Sequence, residues 1–242
     1  MSRGMTFNGV ASSTLHFEYC SPRIPLLPDR RPTTIDLPGR DGTVDFENDS
    51  YTSRLIPVDC LMKATTDATL QERLAAAADW LSGSGYIIFD KDTTKRWKGK
   101  VYQGSDLARH PLASQFTVVF ECQPFAEDVT EIDDAAVDVE TDYESPVIFY
   151  PQITVTTGAA STSLQVSLTS TGQYGRITEA LETDDIVIFD MSTGKVTVND
   201  TLTKVDITSL FFGVPTGDQT ITVTADGAYS AVMAYRKRYR YA

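Results

Sequence analysis

Apolar side chains recur at every second position in several runs of this chain, and with helical spacing in one. Ile56, Val58, Cys60 and Met62 alternate with other residues, the period of a half-buried strand. Phe116, Val118, Phe120 and Cys122 repeat that pattern within Gln115–Gln123, and Trp97–Tyr102 and Val44–Phe46 are further strand candidates. Gly39 and Asp41-Gly42 mark a tight turn ahead of Val44, because Gly and Asp tolerate positive φ.

One helix is expected over about residues 67–82. Thr69 followed by Glu72 fits a capping box. Leu70, Leu74, Ala77 and Leu81 then fall at i, i+4, i+7 and i+11 and form one apolar stripe. Ala75–Ala78 add propensity, and Gly83 and Gly85 stop the helix. A lone amphipathic helix among strands has to lie over a sheet to hide its stripe.

The alternation breaks at Pro124, and an acidic stretch follows before Pro146 and Pro151. This predicts a first domain over 1–128 and a second over 129–242. The second half carries short strand candidates at Ile153–Val155, Leu164–Leu168, Ile186–Asp190, Lys195–Val198, Phe211–Val214 and Ile221–Val223, separated by Gly, Thr, Ser and Asp. Such spacing suggests a sandwich. The expected class is mostly β: an N-terminal β-sandwich or barrel-like domain with one α-helix, then a second β-sandwich. In Tyr229–Tyr241, Arg236, Arg238 and Arg240 alternate with Tyr and Lys, so a continuous strand would place the three arginines on one face. That face is either a solvated terminal strand or a partner-contact strand, since Arg and Tyr are enriched at interfaces.

Composition is that of a globular chain, with 242 residues, 41% hydrophobic and 22% charged. Met1–Phe7 contains no apolar signal-peptide core, and no run approaches the ~20 apolar residues of a membrane-spanning helix. Synthesis in a cytoplasm and no membrane insertion are the expectations. Cys20, Cys60 and Cys122 are odd in number and widely spaced, which reads as buried free thiols instead of a disulfide or zinc framework. The net charge of −12 is uneven: residues 1–125 hold 14 bases and 15 acids, whereas residues 126–144 hold nine acids and no base. Phosphate backbones favour basic partners, so stable nucleic-acid binding is not expected. The acidic stretch itself reads as a solvated linker and first edge strand.

Catalytic constellations are missing from the sequence. His16 and His110 have no metal-ligand spacing around them, Gly83-Ser84-Gly85 lacks the nucleophile-elbow pattern, and no phosphate loop or dinucleotide fingerprint is present. Carboxylate pairs such as Asp184-Asp185 are expected by chance among 33 acids. No catalytic, cofactor or metal residue is assigned, and the chain is expected not to be an enzyme.

An ordered set of motifs in the first half resembles the N-terminal domain of distal tail proteins of siphophages, the bacteriophages with long non-contractile tails. The set is Met5-Thr6-Phe7-Asn8-Gly9-Val10, Ile35-Asp36-Leu37-Pro38-Gly39-Arg40-Asp41-Gly42, Phe46, Tyr51, Arg54-Leu55-Ile56-Pro57-Val58, Asp79-Trp80-Leu81-Ser82-Gly83, Tyr86-Ile87-Ile88-Phe89-Asp90 and Phe120-Glu121-Cys122-Gln123-Pro124-Phe125. Phe7, Gly9, Pro38, Gly39, Arg40, Gly42, Trp80, Leu81, Phe89 and Pro124 are the structural signature residues. The second half looks like the galectin-like sandwich that such proteins often carry. The resemblance implies a virion protein of the distal tail tip: a hexameric ring joining the tail tube protein to the tail-tip protein, with receptor-binding protein at the periphery and DNA passing through. It implies no cofactor. It also leaves the last strand, 229–241, free to return to the first domain. A sugar-binding module attaching a particle to a cell wall is the alternative, and a divergent polysaccharide hydrolase a third. Both tryptophans, Trp80 and Trp97, lie in the first half, away from the sandwich that would hold a sugar.

Overall fold

The computed structural model describes residues 4–39, 41–45, 50–104, 108–134 and 137–241; Arg40 and Phe46 lie outside the described residues. The fold is mostly β with one α-helix among the described residues. Two compact units form, Met1–Val129 with Arg240–Ala242, and Thr130–Tyr239.

The first unit contains β1 (Met5–Phe7), β2 (Val10–Ala11), β3 (Phe17–Pro22), β4 (Thr34–Asp36), β5 (Thr43–Asp45), β6 (Arg54–Lys63), α1 (Asp67–Trp80), β7 (Ser84–Phe89), β8 (Asp92–Gly104), β9 (Ala108–His110), β10 (Ala113–Cys122) and β11 (Ala126–Asp128). Its main sheet runs in the order β2-β1-β7-β8-β10-β6-β3, with β9 on β10 and β11 on β8. Every pairing is antiparallel, and β10 matches β6 without slip from Ala113↔Lys63 to Cys122↔Arg54. Alternation fixes that register, because Ile56, Val58, Cys60 and Met62 are buried with Val118, Phe120 and Cys122. β1 and β2 join through Asn8 (φ 51) and Gly9 (φ 79). This Asn-Gly pair is suited to a two-residue turn with both residues at positive φ. At Gly99, opposite Cys122, an added Cβ would come within 2.7 Å of the Cys122 Sγ, so the ladder needs glycine there.

The helix cap differs from expectation. Thr66 is the N-cap, and its side chain accepts the Thr69 backbone N–H at 3.2 Å. Thr69 and Glu72 are already helical, so they form no capping box. The stripe is real: Leu70 and Ala77 are buried. Trp80 packs edge-on against Phe7 and donates its indole N–H to the Phe7 carbonyl at 3.1 Å.

The second unit contains β12 (Ile132–Asp134), β13 (Glu140–Tyr143), β14 (Gln152–Thr157), β15 (Leu164–Leu168), β16 (Gln173–Ile177), β17 (Ile186–Asp190), β18 (Lys195–Val198), β19 (Thr201–Leu202), β20 (Gly217–Ala225), β21 (Tyr229–Tyr235) and the two-residue β22 (Arg238–Tyr239). One sheet orders β12-β21-β14-β17-β18-β19 and the other β13-β20-β15-β16. Their inner faces share one core, to which Ile153, Val155, Phe189 and Met233 contribute from the first sheet and Val166, Leu168 and Ile221 from the second.

Two strand expectations fail. Phe211–Val214 is not a strand: Phe212 plugs the core, and only Val214 bridges to Phe149. The terminal segment is not one strand either, because β21 ends at Tyr235. Its neighbour β14 begins at Gln152, paired with Ala234, and is preceded by Pro151, which has no N–H to continue the ladder.

Candidate interaction surfaces

The structure gathers some signature residues and separates others. Phe7 sits in a ring cluster with Trp80 and Phe120, with centroids at 6.1 and 5.6 Å, and Phe17 lies 5.6 Å from Trp80. Leu81 is the helix C-cap, Phe89 is buried in β7 beside Met5, and Pro124 is half-buried just after β10. These residues build the core of the first unit. Pro38, Gly39 and Gly42 lie apart, exposed at the tip of the β4–β5 hairpin, where Gly39 and Gly42 take φ of 82 and 80°.

That hairpin belongs to a long excursion between β3 and β6 that carries apolar side chains into solvent. Leu26, Leu27, Ile35 and Leu37 are exposed there, and Leu55 and Tyr102 are exposed on the adjoining strands. Leu27, Leu55 and Tyr102 line an open groove of about 500 Å³ with Pro25, Asp29, Arg54 and Glu121. Exposed apolar side chains gathered along one groove, as Leu27, Leu55 and Tyr102 are, suit a contact site.

Arg54 holds the excursion to the sheet. Only 3% exposed, it donates to the Pro25 carbonyl at 3.2 Å and to the Arg240 carbonyl at 2.7 Å, and its guanidinium lies 4.9 Å from the Trp97 ring centre. Burial pulls its pKa below the usual arginine value, and nearby Asp29 acts the other way. Nothing in the sequence pattern singles out Arg54, since a charged residue opening a strand normally reads as solvated.

The three terminal arginines do not line one face. Arg236 pairs with Glu131 at 2.9 Å. Arg238 donates to the Ile148 carbonyl at 2.8 Å and stands 5.8 Å from the Tyr150 ring centre. Arg240 belongs to the first unit and offers its carbonyl to Arg54. The acidic stretch is likewise divided among edge strands. Glu127 faces Arg96 across the β11–β8 ladder, with an ion pair at 3.3 Å. Asp138 is a brace that the linker reading missed. It accepts the Val223 N–H at 2.6 Å and the Tyr229 hydroxyl at 2.6 Å, from a backbone at φ 69°.

That brace has a pH signature. The hydrogen bond to Asp138 pushes the Tyr229 pKa up to about 12, and burial pushes Tyr143 up to about 12. Folding therefore favours the neutral phenols. The stability they contribute is complete below the ordinary tyrosine value near 10 and is lost as pH rises from there toward 12. In an alkaline titration followed by phenolate absorbance, Tyr143 and Tyr229 are expected to ionise well above 10, and Asp138→Asn is expected to lower the Tyr229 value.

No cluster of three or more His, Cys, Asp or Glu able to hold a metal occurs among the described residues. His16 and His110 are exposed. Asp185 accepts the Glu182 N–H at 2.7 Å and the Asn199 side chain at 2.8 Å, so the Asp184-Asp185 pair braces a loop. Cys20, Cys60 and Cys122 are free and buried.

Comparison with known proteins follows the division into two units. Residues 12–122 match the family described as phage tail protein RIFT-related domain, and residues 144–239 match the family described as siphovirus-type tail component, C-terminal domain. Among solved structures, the crystal structure of the SPP1 Dit (gp 19.1) protein matches with a TM-score of 0.78. The match covers 98% of each chain at 15% identity, and that protein is described as a paradigm of hub adsorption apparatus in Gram-positive infecting phages. At that identity the likeness is one of fold. None of the curated proteins matches.

Proposed function

We propose that this chain, whose two halves match a phage tail protein RIFT-related domain and a siphovirus-type tail component C-terminal domain, is a distal tail protein of a siphophage, and that six copies close into a ring at the distal end of the tail. In this reading the ring joins the tail tube protein to the tail-tip protein, carries receptor-binding protein at its periphery and lets DNA pass. The first domain, residues 1–128, forms the ring, and the second, 129–242, is a galectin-like module. The protein is made in the bacterial cytoplasm and ends in the virion, with no bond made or broken by it.

The observation carrying this reading is that both halves match tail-component families in order along one chain. The exposed apolar excursion on the first unit supports it, because a cyclic ring needs two different patches per subunit that meet head to tail. The test is the solution mass across a concentration series, with negative-stain images. A closed six-fold particle of six times 26.6 kDa is expected. A single chain at high concentration that ignores tube and tip proteins would end the proposal.

A further inference from the structure

The geometry points to a latent cross-link in the first unit, and we infer that Cys20 and Cys60 close into a disulfide when the chain passes from a reducing to an oxidising medium, pinning the edge strand β3 to β6. The inference rests on the tail-component reading only for that change of surroundings, since disulfides persist outside a cytoplasm and are rare within one.

Register builds the pair. Cys20 lies directly opposite Cys60 in the antiparallel β3–β6 ladder. Directly opposed residues have Cα atoms about 4.5–5.5 Å apart, inside the range of about 4.4–6.8 Å that a disulfide spans. The two sulfurs stand 3.6 Å apart, so bonding at about 2.05 Å needs side-chain rotation and no new backbone path. Cys122 cannot take either place. It faces Arg54 on β6, whereas Cys60 faces Phe116, six residues and about 20 Å away along β10.

Position in the sheet decides how the pair reacts. Both thiols are buried, at 1% and 0% exposure, so an oxidant reaches them only when a strand opens. β3 is the strand to open: it ends the sheet, pairs with β6 alone among the described residues, and shifts register between Phe17 and Tyr19. Cys60 donates to the Cys20 sulfur, and that hydrogen bond together with burial pushes the Cys60 thiol pKa up. Cys60 therefore holds its proton, and Cys20 is the first nucleophile, since the thiolate is the attacking form. Its thiolate attacks a small-molecule disulfide RSSR, forming Cys20–S–S–R and releasing RS⁻. Cys60 then loses its proton and attacks the Cys20 sulfur, releasing the second RS⁻. The two protein thiols give up two electrons and two protons, and RSSR becomes two RSH. The closed loop contains the excursion with exposed Leu26, Leu27, Ile35 and Leu37, so the bridge clamps its base.

The test uses the full chain and oxidised glutathione, with thiols counted by alkylation under denaturing conditions and mass spectrometry. The folded protein is expected to fall from three alkylated cysteines to one, with a peptide joining Cys20 to Cys60. The melting midpoint of the first unit should rise by about 5 °C or more, as closing a loop of about 40 residues predicts, and dithiothreitol should reverse the rise. Cys122→Ser should respond to oxidation as wild type does. Cys60→Ala should show neither bridge nor rise, and Cys20→Ser gives the same reading if Cys60→Ala fails to fold. Refolding from urea in the same glutathione removes access as a limit, and three free thiols after both treatments overturn the inference. A bridge formed only on refolding also overturns it, because the folded chain then cannot respond to its medium. Glutathione left on Cys20 without a bridge, or a bridge that lowers the midpoint, does the same. A bridged chain that never assembles leaves the inference standing and counts against the hub reading alone.

Discussion

Replacing Arg54 with alanine is expected to lower the stability of the first unit by about 3–5 kcal/mol, enough to move its melting midpoint by roughly 10 °C or more. The cost has three sources. The Pro25 and Arg240 carbonyls lose a charged donor; a hydrogen bond to a charged group contributes about 1.5–3 kcal/mol, and because both acceptor residues are exposed, water recovers part of that. The guanidinium also leaves the Trp97 face, a contact worth up to about 2 kcal/mol when desolvated. Arg54→Lys is expected to recover little, since an ammonium on a flexible stem cannot serve two carbonyls and a ring in one plane. Tryptophan emission is the direct readout. The chain has two tryptophans, Trp80 and Trp97, both in the first unit, and Trp97 lies under the substituted side chain. A red-shifted emission and a lowered midpoint are expected together. An unchanged midpoint would mean that the excursion around Pro25 is held by something other than Arg54.

How much of this was legible in the sequence depends on whether a feature is periodic. Ile56 to Met62 and Phe116 to Cys122 announce paired strands because burial on one face imposes the period of two, and both appear as β6 and β10. The helix was legible from Leu70 and Ala77, but its start was not. Thr66 and Thr69 are both plausible caps three residues apart, and only backbone geometry shows that Thr66 is extended (φ −137°, ψ 157°) while Thr69 is helical. Phe211–Val214 looked like a strand because apolar density does not distinguish a ladder residue from a core plug such as Phe212. The terminal arginines were grouped by alternation, yet the strand's length was limited by Pro151, a residue distant in sequence that no local pattern connects to them. Arg54 and Asp138 were invisible for the same reason. Each works through long-range partners, Arg240 in one case and Val223 with Tyr229 in the other, and a charged side chain reads as solvated until those partners are known. The outer face of the six-stranded sheet is an intermediate case. Each strand shows its outward residues by alternation, but whether they align into one row depends on four registers that only the folded sheet supplies.

Phe149→Ala is expected to be the most damaging single change in the second unit, costing about 3–5 kcal/mol as a large-to-small core substitution. Phe149 is 1% exposed and stacks on Tyr235 at 4.5 Å with its plane tilted 24°, while Tyr143 meets both rings edge-on at 5.8 Å. Tyr143 comes from β13 in the four-stranded sheet and Tyr235 from β21 in the six-stranded one, so Phe149 completes a ring cluster that spans both layers. Ring pairs add about 0.5–1.5 kcal/mol beyond area, which places this site above an aliphatic truncation such as Val166→Ala. Phe149→Leu keeps most of the volume and is expected to cost under half as much. The second unit has no tryptophan, so near-ultraviolet tyrosine dichroism reports the cluster directly. A loss of that signal with a midpoint fall of 10 °C or more is expected for alanine, as roughly 4 °C accompanies each kcal/mol in a unit of this size. Leu202→Lys, on the outer face of the same sheet, should leave both readings unchanged. That contrast separates the two sides of the six-stranded sheet: the inner one sets whether the unit folds, and the outer one is free to be shaped by what binds it. Equal losses from the two substitutions would mean that the outer aliphatics carry stability as well.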